Sequence, residues 1–204
     1  MMNKKKYFIS VIIIFFLFCL GFLINERVFT KNEDDKYEAG VYTNVDLEVT
    51  DTKTNNRIRV GMTKEKVTDL LGQESEIDFR NIYNFDGLRV YFRDNKVSAI
   101  MVQASDNITK RYITRKDVGL GTEMKTVLDR YGEAKVEDVF GSYSITYIGK
   151  LDGTKFMTNE NNDPGWLIKE QDKIYLISFS FFDNNNKTLS AIIISDHKFA
   201  YTGM

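Results

Sequence analysis

Val60-Gly61-Met62-Thr63-Lys64-Glu65-Lys66-Val67, running on to Leu71-Gly72, decides how this chain is read, because it returns. Sixty residues later Leu120-Gly121-Thr122-Glu123-Met124-Lys125-Thr126-Val127 runs on to Tyr131-Gly132. In each copy a second glycine follows the first by eleven positions, and a valine stands six after the first. A repeated unit of this size organises everything around it. Thr63 and Thr122 suit a helix N-cap, where a hydroxyl accepts from an orphan backbone N–H. Val67, Leu70 and Leu71, and again Val127, Leu128 and Tyr131, form an apolar stripe at helical spacing. Gly72 and Gly132 suit a C-terminal cap with positive φ. Each copy therefore predicts one short capped helix.

Outward from each helix the pattern changes to that of strands. Strands are expected near 77–86, 88–94 and 96–104, with Asp86-Gly87 and Asp94-Asn95 as tight turns. In the second copy they are expected near 142–149, 151–158, 173–182 and 188–195. The closing strands match again, Val97-Ser98-Ala99-Ile100 against Leu189-Ser190-Ala191-Ile192. The offset is 60 at the helix and 92 at the last strand, so the second copy carries 32 extra residues, assigned mostly to 150–173. The expected fold is α+β: two tandem modules, 41–106 and 107–204, each a short helix packed on an antiparallel sheet.

The unit Gly61-Met62-Thr63, Val67, Leu71-Gly72, then Tyr83-Asn84-Phe85, Val90-Tyr91-Phe92 and Val97–Ile100, resembles the beta-lactamase-inhibitor-protein-like fold. The same pattern is similar to that of the small SmpA/OmlA outer-membrane assembly lipoproteins. The resemblance spans about residues 55–195 as two modules side by side. It implies a helical layer on an antiparallel sheet and a role in binding other proteins. One departure stands out: a helix often precedes the Gly-Met-Thr turn in such units, whereas 42–60 reads as strand-like or irregular. Shared fold does not carry shared function with it.

The N-terminus places the chain. Lys4, Lys5 and Lys6 precede an uncharged run from Tyr7 to Ile24. Its 18 residues would span about 27 Å as a helix, close to the ~30 Å hydrocarbon core. The run ends in Leu23-Ile24-Asn25-Glu26-Arg27 without small residues at a cleavage site, which reads as an uncleaved transmembrane signal anchor over 7–24. Residues 1–6 then form a cytoplasmic tail, and the rest lies outside the cell membrane by the positive-inside bias. Cys19 is the only cysteine, and Phe18 stands where a lipidation signal needs a small residue, which argues against lipidation. Residues 25–40 are polar, charged and aperiodic, as a linker would be.

Composition closes several routes to chemistry. One His and one Cys cannot assemble a Cys/His zinc site or an internal disulfide. The formal net charge is −1, and without the three lysines of the tail it is −4, which gives no electrostatic footprint for nucleic acid. His197, in Ser195-Asp196-His197, is read as a chain-end residue and not as part of a triad. Asn159, Asn161, Asp163 and Glu170 fall in a Ca²⁺-loop register, but Pro164 occupies the position that needs glycine. Gly119 and Gly121 lack a phosphate-loop pattern. Glu137 and Asp138 are neighbours on a strand and point to opposite faces. No cofactor and no metal are expected, and the protein is read as a non-enzyme.

Binding residues remain. Phe79, Tyr83 and Phe85 share one strand face, as do Tyr143, Ile145 and Tyr147, and both sets read as core with an exposed strip as the alternative. Arg89, Tyr91 and Arg93 alternate with Leu88, Val90 and Phe92 and so face away from the core, in a composition found at protein interfaces. Trp166, the only Trp, lies in the extra segment, either facing a partner or plugging the core edge. These four, Arg89, Tyr91, Arg93 and Trp166, are the expected contact residues for another extracytoplasmic protein. The alternatives are a carboxylate-dependent hydrolase in the groove between modules and a structural component of envelope assembly.

Overall fold

The computed structural model describes residues 38–74, 76–78, 82–104, 110–139, 141–153, 155–158 and 170–202. The protein is α+β, with antiparallel sheets and few helices. In chain order, β1 (Tyr42–Thr43) leads through a 3-10 turn (Asn44–Leu47) into β2 (Glu48–Asp51) and β3 (Arg57–Arg59). Helix α1 (Lys64–Leu71) follows, then β4 (Glu76–Asp78), β5 (Ile82–Phe85), β6 (Leu88–Arg93) and β7 (Lys96–Gln103). The chain continues with β8 (Tyr112–Thr114), α2 (Met124–Tyr131), β9 (Val136–Val139), β10 (Ser142–Asp152) and β11 (Lys155–Thr158). A second 3-10 turn (Gln171–Lys173), β12 (Ile174–Phe181), β13 (Leu189–Asp196) and α3 (His197–Thr202) close it.

The large sheet runs β1-β11-β10-β12-β13-β7-β6-β5-β4, with β9 also on β10, and a small sheet runs β3-β2-β8. Strand β8 comes from beyond residue 107 yet pairs with β2 from the first part of the chain. The described residues belong to one compact unit. One core seals one face of the large sheet: Leu88, Val90, Ile100, Ile177, Phe179, Ile192 and Ile194 pack with Val49 and Ile58 of the small sheet and with Val67 and Val127 of the helices. Tyr83, Phe85, Tyr143, Ile145 and Tyr147 all belong to that core or pack against it, as the core reading expected. Phe79 lies outside the described residues.

The two Gly…Gly stretches sit in like surroundings. Helices α1 and α2 have eight residues each, and Val67 and Val127 are fully buried. The N–H of Gly61 donates to Val97 O and that of Gly121 to Leu189 O, both at 2.8 Å. In return Val97 N–H donates to Met62 O and Leu189 N–H to Thr122 O, again at 2.8 Å in both. Both hairpins also slip register at the same place, between Tyr91/Phe92 and between Ser180/Phe181, with Ser98 and Ser190 as the extra residues. A bulge is a positional feature of a strand pair, so its recurrence at one sequence offset is structural agreement independent of the glycine pattern.

Local sequence explains the turns. Asp86-Gly87 and Asp94-Asn95 all have positive φ, the conformation that two-residue hairpins demand and that Asp, Asn and Gly tolerate. Thr63 caps α1, its hydroxyl accepting from Lys66 N–H at 3.4 Å. Thr122 does not cap α2: the N-cap is Glu123, sixty residues from Thr63. Thr122 is buried instead, and its hydroxyl accepts from Gly119 N–H at 3.2 Å to close the preceding turn. A break expected at residue 150 is also absent. Strand β10 runs through Gly149 and Lys150 to Asp152, and the chain reverses at Gly153, whose φ is +60°. Three of the extra residues lie in the β12–β13 turn, because Phe92 and Phe181 are 89 apart while Val97 and Leu189 are 92 apart.

Among the described residues no helix is long and apolar enough to cross a membrane. The expected anchor over 7–24, with Cys19, lies outside them.

Candidate functional site

Two clefts open on the second face of the large sheet, the face turned away from the main core. Strand β6 puts Arg89, Tyr91 and Arg93 on it, as alternation requires. Their exposure differs from the expectation. Tyr91 is buried, 8% exposed, under Phe199 of α3, with ring centroids 5.2 Å apart. Ile82 and Ala99 complete this small cluster. Arg93 is half-buried and pairs with Asp196 at 2.9 Å. Arg89 is exposed and donates to Gln103 Oε1 at 3.2 Å. The missed helix α3 is the reason: it folds back over the β6 end of the face, so a set read as a binding strip is partly a docking floor for the chain's own C-terminal segment. Trp166 lies outside the described residues, as do Asn159, Asn161 and Asp163.

Asp196 organises the covered part. Its carboxylate accepts from Arg93, from the Ser98 hydroxyl at the bulge, and from Phe199 N–H at 2.8 Å. The last contact is an N-cap on α3. Beside it lies a polar cleft of about 370 Å³ whose lining includes Arg93, Asp94, Lys96, Asp172, Asp196 and Lys198. Its charges are internally matched, with Lys198 near Asp172 at 3.5 Å. His197 opens α3, its ring 4.3 Å from that of Tyr201, and the neighbouring Asp196 is engaged elsewhere, so these residues do not form a triad.

Ile174 and Leu176 of β12 are buried on this face as well. Beyond them the chemistry differs, and on β10 and β12 Ser144 faces Ser180 and Thr146 faces Ser178. The Thr146 and Ser178 hydroxyls are 2.9 Å apart. Toward the sheet centre Ser178 faces Ile193, which faces Met101. A cleft of about 350 Å³ here is lined by Met101, Gln103, Ser180, Phe182, Ala191 and Ile193 among others, with no charged side chain among the described residues of its lining.

A third constellation lies inside the fold. Lys116 is buried, 3% exposed, and its ammonium donates to three carbonyls: Glu38 at 3.1 Å, Val41 at 2.8 Å and Arg130 at 3.2 Å. It also sits over the rings of Tyr42 and Tyr131, 4.7 and 5.1 Å from their centroids. Burial pushes the Lys116 pKa down, with Asp46 and Glu38 pulling the other way. Burial likewise pushes the Asp46 carboxyl up, against the Thr43 hydrogen bonds and Lys116. A lysine held by three carbonyls has no free geometry for proton transfer, so this is a fastening. It ties the first described segment to the C-terminal end of α2, where the helix dipole favours a cation.

Compared with known protein families, with curated proteins and with solved structures, the chain matches none. Among the described residues no group of His, Cys, Asp and Glu is placed to hold a metal ion. Three residues that matter were not singled out from the sequence. Asp196 precedes His-Lys-Phe-Ala-Tyr as a helix N-cap would, and Ser98 recurs as Ser190, so both left a trace. Lys116 left none, since one lysine among 28 basic residues carries no mark of burial.

Proposed function

We propose that the chain is a membrane-anchored extracytoplasmic binding protein, held by residues 7–24, that recognises another extracytoplasmic protein and performs no catalysis. Its folded part is read as two copies of one unit, 41–106 and 107–204, in the beta-lactamase-inhibitor-protein-like arrangement. The matched glycine contacts and the matched bulges support that reading. The observation that carries the function is the asymmetry of the large sheet. One face is sealed by helices and the small sheet, and on the other Thr146 is exposed and Ser178, Ile193 and Met101 are half-buried. A half-apolar sheet face with Arg89 exposed beside Met101 is suited to a protein surface.

The hydrolase alternative gains little from the geometry. Among the described residues the carboxyl pushed up by burial is that of Asp46, and Asp46 lines neither cleft. A photoreactive residue at Thr146 in intact cells tests the reading, with one at Lys125 on the exposed side of α2 as control. The expected result is a crosslink to one extracytoplasmic protein from position 146 only. No product from 146, or equal products from both positions, overturns the reading. A product of fixed stoichiometry that survives purification assigns the chain to a stable envelope assembly instead.

A further inference from the structure

Across the middle of the second face the sheet lines up one row of side chains. Arg89 stands opposite Met101, Met101 opposite Ile193, Ile193 opposite Ser178 and Ser178 opposite Thr146. At ~4.8 Å per strand the row is about 19 Å long. Arg89 and Thr146, at its ends, are exposed, and the three between them are half-buried. Arg89 gives the row its charge, and that charge is unmatched. Elsewhere Arg57 and Arg59 meet Glu48, Arg93 meets Asp196, Arg111 meets Asp51 and Arg130 meets Asp117. Among the described residues Arg89 meets only the neutral Gln103, through Nη1. Arg115 also lacks a carboxylate, but it follows β8 in the small-sheet layer.

The edge of the Arg89 guanidinium formed by Nε and Nη2 is therefore open. By that same edge the protein holds carboxylates elsewhere. Arg59 donates from Nε and Nη2 to Glu48 at 3.0 and 2.7 Å, and Arg111 does so to Asp51 at 3.3 and 3.0 Å. We propose that the open edge of Arg89 receives a carboxylate of the partner protein, an Asp or Glu whose apolar neighbour lies on Met101 and Ile193. The inference rests on the binding reading above and names the group that the partner presents. Two arguments select it. A partner that covers the row strips water from Arg89, and a guanidinium buried without an anion is costly. Its planar fork matches a carboxylate with two parallel bonds. The chain's own C-terminal segment also docks on β6 in this manner: Asp196 meets Arg93, and Phe199, three residues on, lies on Tyr91.

The test uses the full-length chain in intact cells with the photoreactive residue at Thr146. The yield of protein crosslink should fall about tenfold in Arg89→Glu, as for a central contact residue reversed in charge. It should fall about fivefold in Arg89→Lys, which keeps the charge and loses the fork. Lys66→Glu makes the same charge change at an exposed position of α1 and should leave the yield unchanged. Since Arg89 is exposed, the urea midpoints of the purified variants should match that of the parent. If Arg89→Glu lowers the midpoint, Arg89→Lys decides. Full or increased yield from Arg89→Glu, or a lysine variant equal to the parent, overturns the carboxylate contact and leaves the binding reading in place. So does a product that is lipid or glycan rather than protein, which removes the partner class as well. No product from the parent chain overturns the binding reading itself.

Discussion

Met101 faces Ile193 across the middle of the large sheet, and the two are each other's counterparts at the offset of 92 that also relates Val97 to Leu189. A residue paired with its own counterpart marks a local twofold axis in an antiparallel ladder. The small sheet obeys the same relation. Val49 pairs with Ile58, Thr114 N–H donates to Val118 O, and Val49 faces Thr114. Ile58 and Val118 are sixty apart and both are buried. Each sheet thus carries a local twofold relation between like-placed strands, at Met101–Ile193 in the large one and at Val49–Thr114 in the small one. The C-terminal helix has no like-placed counterpart among the described residues, and it packs on β12 and β13 as well as on β7.

Like positions need not cost alike when mutated. Gly72 and Gly132 both have positive φ, +84° and +96°. A side chain at Gly72 would meet open space, whereas a Cβ at Gly132 would stand 2.9 Å from Gly40 N. Gly72→Ala should cost only the backbone conformation, about 1 kcal/mol. Gly132→Ala should cost more, about 2–4 kcal/mol, because the first described segment must move away as well. Urea unfolding of the two variants side by side checks the order, and equal losses would show that Gly40 does not pack there.

What could be read from the sequence follows from where its physical signals are strong. The helices were legible because the apolar stripe and the closing glycine recur together, although the threonine cap does not, and the strands because alternation was bounded by Asp-Gly and Asp-Asn turns. The small sheet was less legible, since β2, β3 and β8 have only four, three and three residues, too few for a period to show. Helix α3 was missed because six residues give less than two turns of periodicity. That omission made Tyr91 look exposed. Its neighbours on the strand did point where alternation placed them, so the face was right and its cover was not.

Removing the Lys116 ammonium should loosen a defined segment. In Lys116→Met the carbonyls of Glu38, Val41 and Arg130 lose their shared charged donor; Glu38 O keeps Val41 N–H, and the loss of a charged hydrogen bond at the other two is costly. The expected loss is about 2–4 kcal/mol. Hydrogen exchange should quicken first at Gly40, whose N–H donates to Tyr131 O at 3.1 Å, while the β12–β13 ladder holds. Uniform acceleration across both regions would mean that Lys116 supports the whole core.

Asp46 should give stability an acid-side signature. Burial raises its carboxyl pKa in the folded protein, despite the hydrogen bonds from Thr43 and the nearby Lys116. The folded state therefore holds this proton more tightly than the unfolded state does. The stabilisation is complete below the ordinary carboxylate pKa of about 4 and is lost as pH rises through the raised value. Asp46→Asn removes the titration, so its stability relative to the wild type should improve as pH rises above about 4 and level off above the raised value. A difference that stays flat, or runs the other way, would show the carboxylate to be favourably held.

The fastening of α3 separates into a cap and an ion pair that two variants can distinguish. Asp196→Asn keeps an acceptor for Phe199 N–H, because Asn caps helices about as well as Asp, but it loses the charge facing Arg93. Both partners of that pair are partly exposed, 21% and 27%, so the loss should be small, about 0.5–1 kcal/mol. Phe199→Ala leaves cap and charge in place and uncovers Tyr91, Ile82 and Ala99, which should cost about 1–3 kcal/mol. It should also create a dye-binding apolar patch that Asp196→Asn lacks. If the asparagine variant binds dye as strongly as the alanine variant, the ion pair and not the ring is what keeps the helix down.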